Sequence, residues 1–398
     1  MFGLLALRVL CQASTLRGIR PSCATGVADG RHRRYRSPEG KARDTAARCC
    51  YTWLMSTTII VGAGITGASL AYHLASRGHD TILIDSDLPG SGATRASFAW
   101  IGRPSTTALP SAPLRYMALD EYRRLEQELP HLAIRWSGAL TWGALAEAGH
   151  SVHPGQVTAL EPNLIDPPAG ANFQREDAAF DPTVVTDQLV DAAVTNGAQL
   201  HVGTPVIGLE RRSRTVTGVQ TAEGLMPATT VVLAAGNGAV PLCRSIGLAL
   251  PVAPSPAMLV RLHTTPDLVQ RIVARPDLEV RQQPDGTVLV VIEYRGEASR
   301  SALADAGRRA RQRVLESFRT REPVDVVSAQ IGWRPMPADG EPIIGAERDV
   351  PGLYLAVLHS AITLAAAVGR LASDEITTGI EAPELAGCRR TRFGQAIS

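Results

Sequence analysis

Lysine is nearly missing from this chain: Lys41 is the only one, against 39 arginines in 398 residues. The bias is that of a GC-rich genome and says little about function. Cysteine is scarce too, and four of the six (Cys11, Cys23, Cys49 and Cys50) fall in the first fifty residues. Cys243 and Cys388 alone serve the rest, which excludes a disulfide framework and suits a reducing cytoplasm, the expected location. No run of 18 or more apolar residues occurs, so no membrane span is expected. The apolar stretch "LAVLHSAITLAAAVGRLA" is interrupted by His359, Ser360 and Arg370 and reads as a strand end, a turn and a helix. Internal repeats, metal-ligand spacings, a nucleophile elbow and a phosphate-loop lysine are also missing.

The charge is unevenly placed. Nine arginines and Lys41 against Asp29, Glu39 and Asp44 put residues 1–54 at +7, which leaves the remainder at −5. A mildly acidic body with no basic stripe argues against nucleic acid as a partner. Residues 1–54 show no hydrophobic periodicity after Leu10 and are expected to carry no fold. Three readings compete for them. As a secretory signal they are poor, since Arg8 interrupts the apolar stretch. A mitochondrial-type transit peptide suits their arginine, though serine is sparse. The favoured reading makes Met55 the start and everything before it upstream sequence, because Met55 leads directly into the first strand.

What is present begins with "TIIVGAGITGAS". An apolar run, Ile59–Val61, enters Gly62-Ala63-Gly64-Ile65-Thr66-Gly67, and a helical pattern follows. In such a turn the first glycine permits the sharp bend, the second lets a pyrophosphate approach the backbone and the third lets helix pack on strand. The helix N-terminus presents free N–H groups and partial positive charge to the phosphates. A second strand, Thr81–Ile84, ends at Asp85, placed to accept from ribose hydroxyls. The motif alone does not separate FAD from NAD. The following "GSGATRAS" is rich in backbone N–H and hydroxyl groups that suit the far side of a pyrophosphate, or else is a plain surface loop. Further on, a helix is expected near Thr183–Asn196 and a strand near Gln199–Val202, with another beginning around Val206. A buried strand, Thr230–Ala234, then ends at Ala235-Gly236.

Together with "DPTVVTDQLVDAAVTNGA", "VVLAAG", "IGWRPMPADGEPIIG" and "GLYLAVLHSAITLAAAVGRLASDEI", these blocks resemble the D-amino-acid oxidase and glycine oxidase family of FAD-dependent amine oxidoreductases, over about Thr57 to Glu375. The resemblance implies an α/β fold: a Rossmann-like FAD-binding domain of the glutathione-reductase type with an antiparallel-sheet substrate domain. The expected division gives residues 55–130, 146–254 and 326–385 to the first and 131–145 and 255–325 to the second, with 386–398 as a tail. FAD would lie on Gly62, Gly64, Ile65, Thr66 and Gly67, with Asp85 and Ser86 at the ribose. Ser91, Gly92, Thr94 and Arg95 would run along the pyrophosphate, Val206 would meet the adenine, and Ala235 and Gly236 would approach from the third strand. Gly345 and the stretch Ser360, Ile362, Thr363 and Leu364 would close over the ring.

The implied reaction is oxidation of the C–N bond of a small amine or amino acid by hydride transfer to flavin N5, the imine then hydrolysing. The electron acceptor, oxygen or a carrier, stays open. Arg334 is the expected partner of a substrate carboxylate, because a planar guanidinium matches it with two parallel hydrogen bonds. Its alternative role is a structural bond to Asp339 or a carbonyl of its own turn. His359 either reaches flavin or substrate or packs in the core. Where the family attaches flavin covalently through His or Cys, this chain has Ala96 and Gly332, so FAD is expected to be non-covalent. Trp100 is either a pocket wall or a core residue. An antiparallel sheet with a hairpin at Pro284-Asp285-Gly286 and an outer helix near Ser299–Phe318 is expected to roof the flavin, with Arg281, Tyr294 and Trp142 as substrate-facing candidates. Three other readings remain open: a flavoprotein for an N-methylated amine or a specialised biosynthetic intermediate, an FAD-retaining binding protein, and a nicotinamide-dependent dehydrogenase.

Overall fold

The computed structural model describes residues 56–102, 109–143 and 150–394. The leader, with its competing readings, lies outside them.

A short strand buried at every position, as Thr58–Val61 is, belongs in the middle of a sheet covered on both faces. It pairs in parallel with Thr81–Ile84 on one side and Thr230–Leu233 on the other. Gln199–His201 extends the sheet beyond the former, Leu353–Val357 beyond the latter, and the antiparallel Ile343–Ala346 closes that edge as the sixth strand. Alternation assigns the side chains to two cores. Ile60, Leu83, Val232 and Tyr354 pack under the helices Ile65–Ala75, Pro182–Thr195 and Ala361–Thr378. Ile59, Ile84, Val231 and Leu355 face the three-stranded sheet formed by residues 208–227 and the helix Ala239–Ser245. The "DPT" signature works as a helix start: the Asp181 carboxylate accepts from the N–H groups of Thr183 and Val184, at 2.9 and 3.1 Å, with Pro182 in the first turn.

The second sheet has eight strands, and Val252–His263 pairs with both Thr287–Ile292 and the edge strand Asp325–Pro337. Leu278–Gln282 and Ile272–Arg275 follow, then Ala139–Thr141, Ala171–Gln174 and His150–Val152. One face buries Met258, Val260, Val280 and Val290 against the helix Arg300–Ser317, capped by Ser299. The sheet takes more of the chain than the expected division gave it. Asp325–Pro337 pairs with Val252–His263 along its length, so a break at 325/326 would cut it away from its own hydrogen bonds. Residues 150–152 and 171–174 also belong to this sheet, not to the parallel one. Nor is the stretch from 386 onward a loose tail up to residue 394. Cys388 is fully buried, the Arg389 guanidinium bonds the Glu375 carboxylate at 2.9 Å, and Arg392 holds Asp339 at 2.7 and 3.0 Å.

Candidate active site

The carboxyl ends of the parallel strands carry the glycine turn. Gly62 has φ +106°, and a Cβ there would stand 2.6 Å from the Ala234 carbonyl oxygen. At Gly67 a Cβ would fall 1.9 Å from the Gly62 carbonyl oxygen, so only glycine lets the helix Ile65–Ala75 sit down on the turn. Gly64 caps that helix without a side-chain bond, and its first turn holds no acid. Its positive end is therefore left for an external anion. Ile65 and Thr66 are buried in that first turn.

The segment 90–95 folds over this end. The Gly90 N–H donates to the Ala63 carbonyl at 2.9 Å, and the Ile65 N–H donates to Thr94 Oγ1 at 3.2 Å. Ser91 is half-buried there, whereas Gly92 and Arg95 are exposed. Asp85 Oδ2 accepts from the Ala63 N–H at 2.6 Å, and its Oδ1 accepts from the Asp87 N–H at 3.0 Å and from Ser86 Oγ at 3.4 Å. The Asp85 carbonyl accepts from the Thr204 N–H, and Val206, two residues on, packs against the core cluster that holds Val61 and Ile84.

Ala235 and Gly236 complete the cradle and join it to the eight-stranded sheet. Asn237 Nδ2 donates to the Trp333 carbonyl at 2.9 Å, and Gly236 lies under Pro335. Asn237 Oδ1 is buried without a partner among the described residues, an acceptor left for a ligand donor. These features fit FAD: a glycine cradle at a helix end, an acid at the second strand and an orphaned buried acceptor.

Arg334, between Trp333 and Pro335, is exposed. Its Nη2 donates to Ser255 Oγ at 2.9 Å and to the Pro256 carbonyl at 3.3 Å, both on the neighbouring strand. Asp339, its alternative partner from the sequence, is held by Arg392 instead. His359 is half-buried beside it. Burial, followed by the guanidiniums of Arg334 and Arg115, holds its imidazole below the ordinary range, with Glu341 pulling the other way. Next to it, Ser360 starts the last helix in a left-handed conformation (φ +61°), and Arg115 Nη1 donates to Ser360 Oγ at 3.4 Å. Ile362, Thr363 and Leu364 are buried just beyond, with Thr363 Oγ1 donating to the Trp100 carbonyl at 3.2 Å.

Not every expected residue joins the group. Gly345 lies two positions inside the edge strand Ile343–Ala346 from Ile343, which pairs with Val357 at the carboxyl rim. The space where its Cβ would be is filled by Arg389. Arg281 points inward but is buried and spent, donating to the Phe98 and Phe180 carbonyls at 2.6 and 2.8 Å. Tyr294 and Trp142 pack with the helix-covered face, away from the cradle. Trp100 Nε1 donates to Asp177 at 2.7 Å. Ala96 and Gly332 do meet, since a Cβ at Gly332 would lie 2.8 Å from the Ala96 carbonyl oxygen, and neither offers a group for covalent attachment. The sequence reading missed Arg115, whose guanidinium meets Ser360, and Asn237 beside the cradle.

A family model described as "DAO: FAD dependent oxidoreductase" matches residues 57–375. The glycine oxidase of Bacillus licheniformis is 26% identical over 345 residues, covering 80% of this chain and 92% of that protein. The mitochondrial dimethylglycine dehydrogenase of Rattus norvegicus is 25% identical over 448 residues, with 99% of this chain but only 49% of that longer protein covered. Among solved structures, the glycine oxidase of Geobacillus kaustophilus superposes with a TM-score of 0.73 at 23% identity, over 85% of this chain and 99% of that one. The L-amino acid deaminase of Proteus myxofaciens superposes with a TM-score of 0.74 at 17% identity, over 86% and 94%. The chain thus belongs to the DAO family of FAD-dependent oxidoreductases.

Proposed function

We propose that the chain oxidises the C–N bond of an amino acid or of another amine bearing a carboxylate, with FAD held non-covalently. The observation that carries this reading is Arg334. Its guanidinium stands at the junction of the cradle and the eight-stranded sheet, fixed from one side by Ser255 and Pro256 and held by no ion pair among the described residues. The rest of its fork is free for a carboxylate. Gly62, Gly64, Gly67, Asp85, Thr94 and Asn237 would hold the cofactor, and bound FAD supplies the acceptor for a hydride from the substrate carbon.

The residues around that carbon have two tasks. Arg334 fixes the carboxylate and hence which C–H faces the cofactor. His359, kept neutral near pH 7 by burial and its arginine neighbours, offers a lone pair without adding a second positive charge. A neutral amine is required for hydride loss, and a neutral imidazole is compatible with it.

The test is anaerobic bleaching of the purified yellow protein by panels of D- and L-amino acids, glycine, sarcosine and other secondary amines. Two charge-assisted hydrogen bonds contribute about 3 kcal/mol or more, so Arg334→Ala should raise the half-bleaching concentration at least a hundredfold while flavin content stays unchanged. Bleaching confined to N-methylated amines would move the substrate to that class. Equal bleaching by amines without a carboxylate would remove Arg334 from the account.

A further inference from the structure

The face of the eight-stranded sheet turned toward the cradle is set by register. Gln330 pairs with Leu259, Leu259 with Val291, Val291 with Glu279, and Glu279 with Ala274. Residues in one such row share a face, and Arg334, four positions along from Gln330, shares it too. Leu259, Val291 and their neighbours Ile272 and Leu289 make an apolar patch with Phe98 and Trp100. Glu279 is the acid within this patch.

The arginines on this face are each held, Arg334 by one nitrogen only. Arg261 donates to the Arg95 carbonyl at 2.6 Å, Arg281 to Phe98 and Phe180, and Arg334 to Ser255 and Pro256. Glu279 makes no hydrogen bond and no ion pair among the described residues. Arg334 is near enough for its charge to be felt, and burial raises the carboxyl against that attraction. A half-buried carboxylate on an apolar wall is costly until a cation meets it.

We infer that Glu279 selects substrates carrying a second cationic group, an amino or guanidino group in the side chain of the amino acid bound at Arg334. The inference rests on the proposed reaction. The cation at Glu279 is not the reacting nitrogen, because a carboxylate against that amine would hold it as ammonium and oppose hydride loss. Arg334 and Glu279 on one sheet face therefore recognise the two ends of a zwitterion, with the reacting carbon beside the first.

Isosteric pairs test this directly: ornithine against norleucine, and arginine against citrulline, each as both enantiomers. With the flavin-loaded protein, anaerobic bleaching should favour the charged member at least tenfold in rate at low concentration. Glu279→Gln should abolish that preference while leaving the neutral member within about threefold. Glu279→Asp should keep part of it. A wild type indifferent to the charge, or a Glu279→Gln variant that weakens both members equally, overturns the inference. If nothing is bleached, binding is read from the flavin absorption shift. A charge preference there that Glu279→Gln removes keeps Glu279 as a cation site and discards the reaction, whereas no preference discards the site.

Discussion

At the scale of single residues, the glycine turn shows how closely function and folding are joined. Gly67 has no room for a methyl group above the Gly62 carbonyl. Gly67→Ala should therefore yield a protein that purifies colourless or unfolds several degrees lower, as checked by flavin absorbance and thermal melting. Thr94→Val removes only the hydroxyl that meets the Ile65 N–H and should leave the melting point of the apoprotein within a few degrees. His359 gives a prediction with a definite sign. Its folded pKa lies below 6.5, so as pH falls below 6.5 the unfolded chain takes the proton first and stability declines. His359→Asn should lessen that contribution relative to the wild type in denaturant titrations between pH 7 and 5, leaving the share of the likewise depressed His73 and His79. These residues differ in how legible they were. The glycines and Asp85 could be read from spacing because one backbone turn demands them. Glu279 and Arg115 could not, since their meaning comes from what faces them across the fold.

Among the elements, the parallel strands and their helices followed from buried apolar runs and from cap residues such as Asp181. The eight-stranded sheet was harder to delimit. In the edge strand Asp325–Pro337 both Val326 and Val327 are exposed, so its apolar pattern does not announce a buried face. Its membership is fixed by pairing with Val252–His263, about seventy residues earlier in the chain. Gly345 has a structural use that its block does not announce: the space beside it holds Arg389, which locks onto Glu375. Another such lock is Glu161, fully buried, whose carboxylate accepts from the N–H groups of Gln270 and Arg271. Glu161→Ala would leave both unpaired and should lower unfolding stability by about 3 kcal/mol in urea. Burial pushes this carboxyl up to about 7, against those backbone bonds. Between pH 4.5 and 7 the folded form thus keeps a proton the unfolded chain has shed, and stability falls as pH rises through that window. Glu161→Gln should remove that contribution, so that wild type and variant differ in slope across this window.

For the whole molecule, two sheets meet around the segment 90–98, and the proposed chemistry lies where they meet. The Arg95 carbonyl accepts from Arg261 and, at 3.2 Å, from Gln330 of the second sheet. Gly90 bonds the glycine turn of the first. No helix among the described residues is long and apolar enough to cross a membrane. The central claim is that this junction holds FAD and presents a carboxylate-bearing amine to it. The most direct measurement is the visible spectrum of the purified protein before and after anaerobic addition of amino acids, for the wild type and Arg334→Ala. The account predicts a yellow protein that an amino acid bleaches, and an equally yellow variant that needs at least a hundredfold more substrate. A protein that takes up no FAD, or a variant bleached as readily as the wild type, would contradict it.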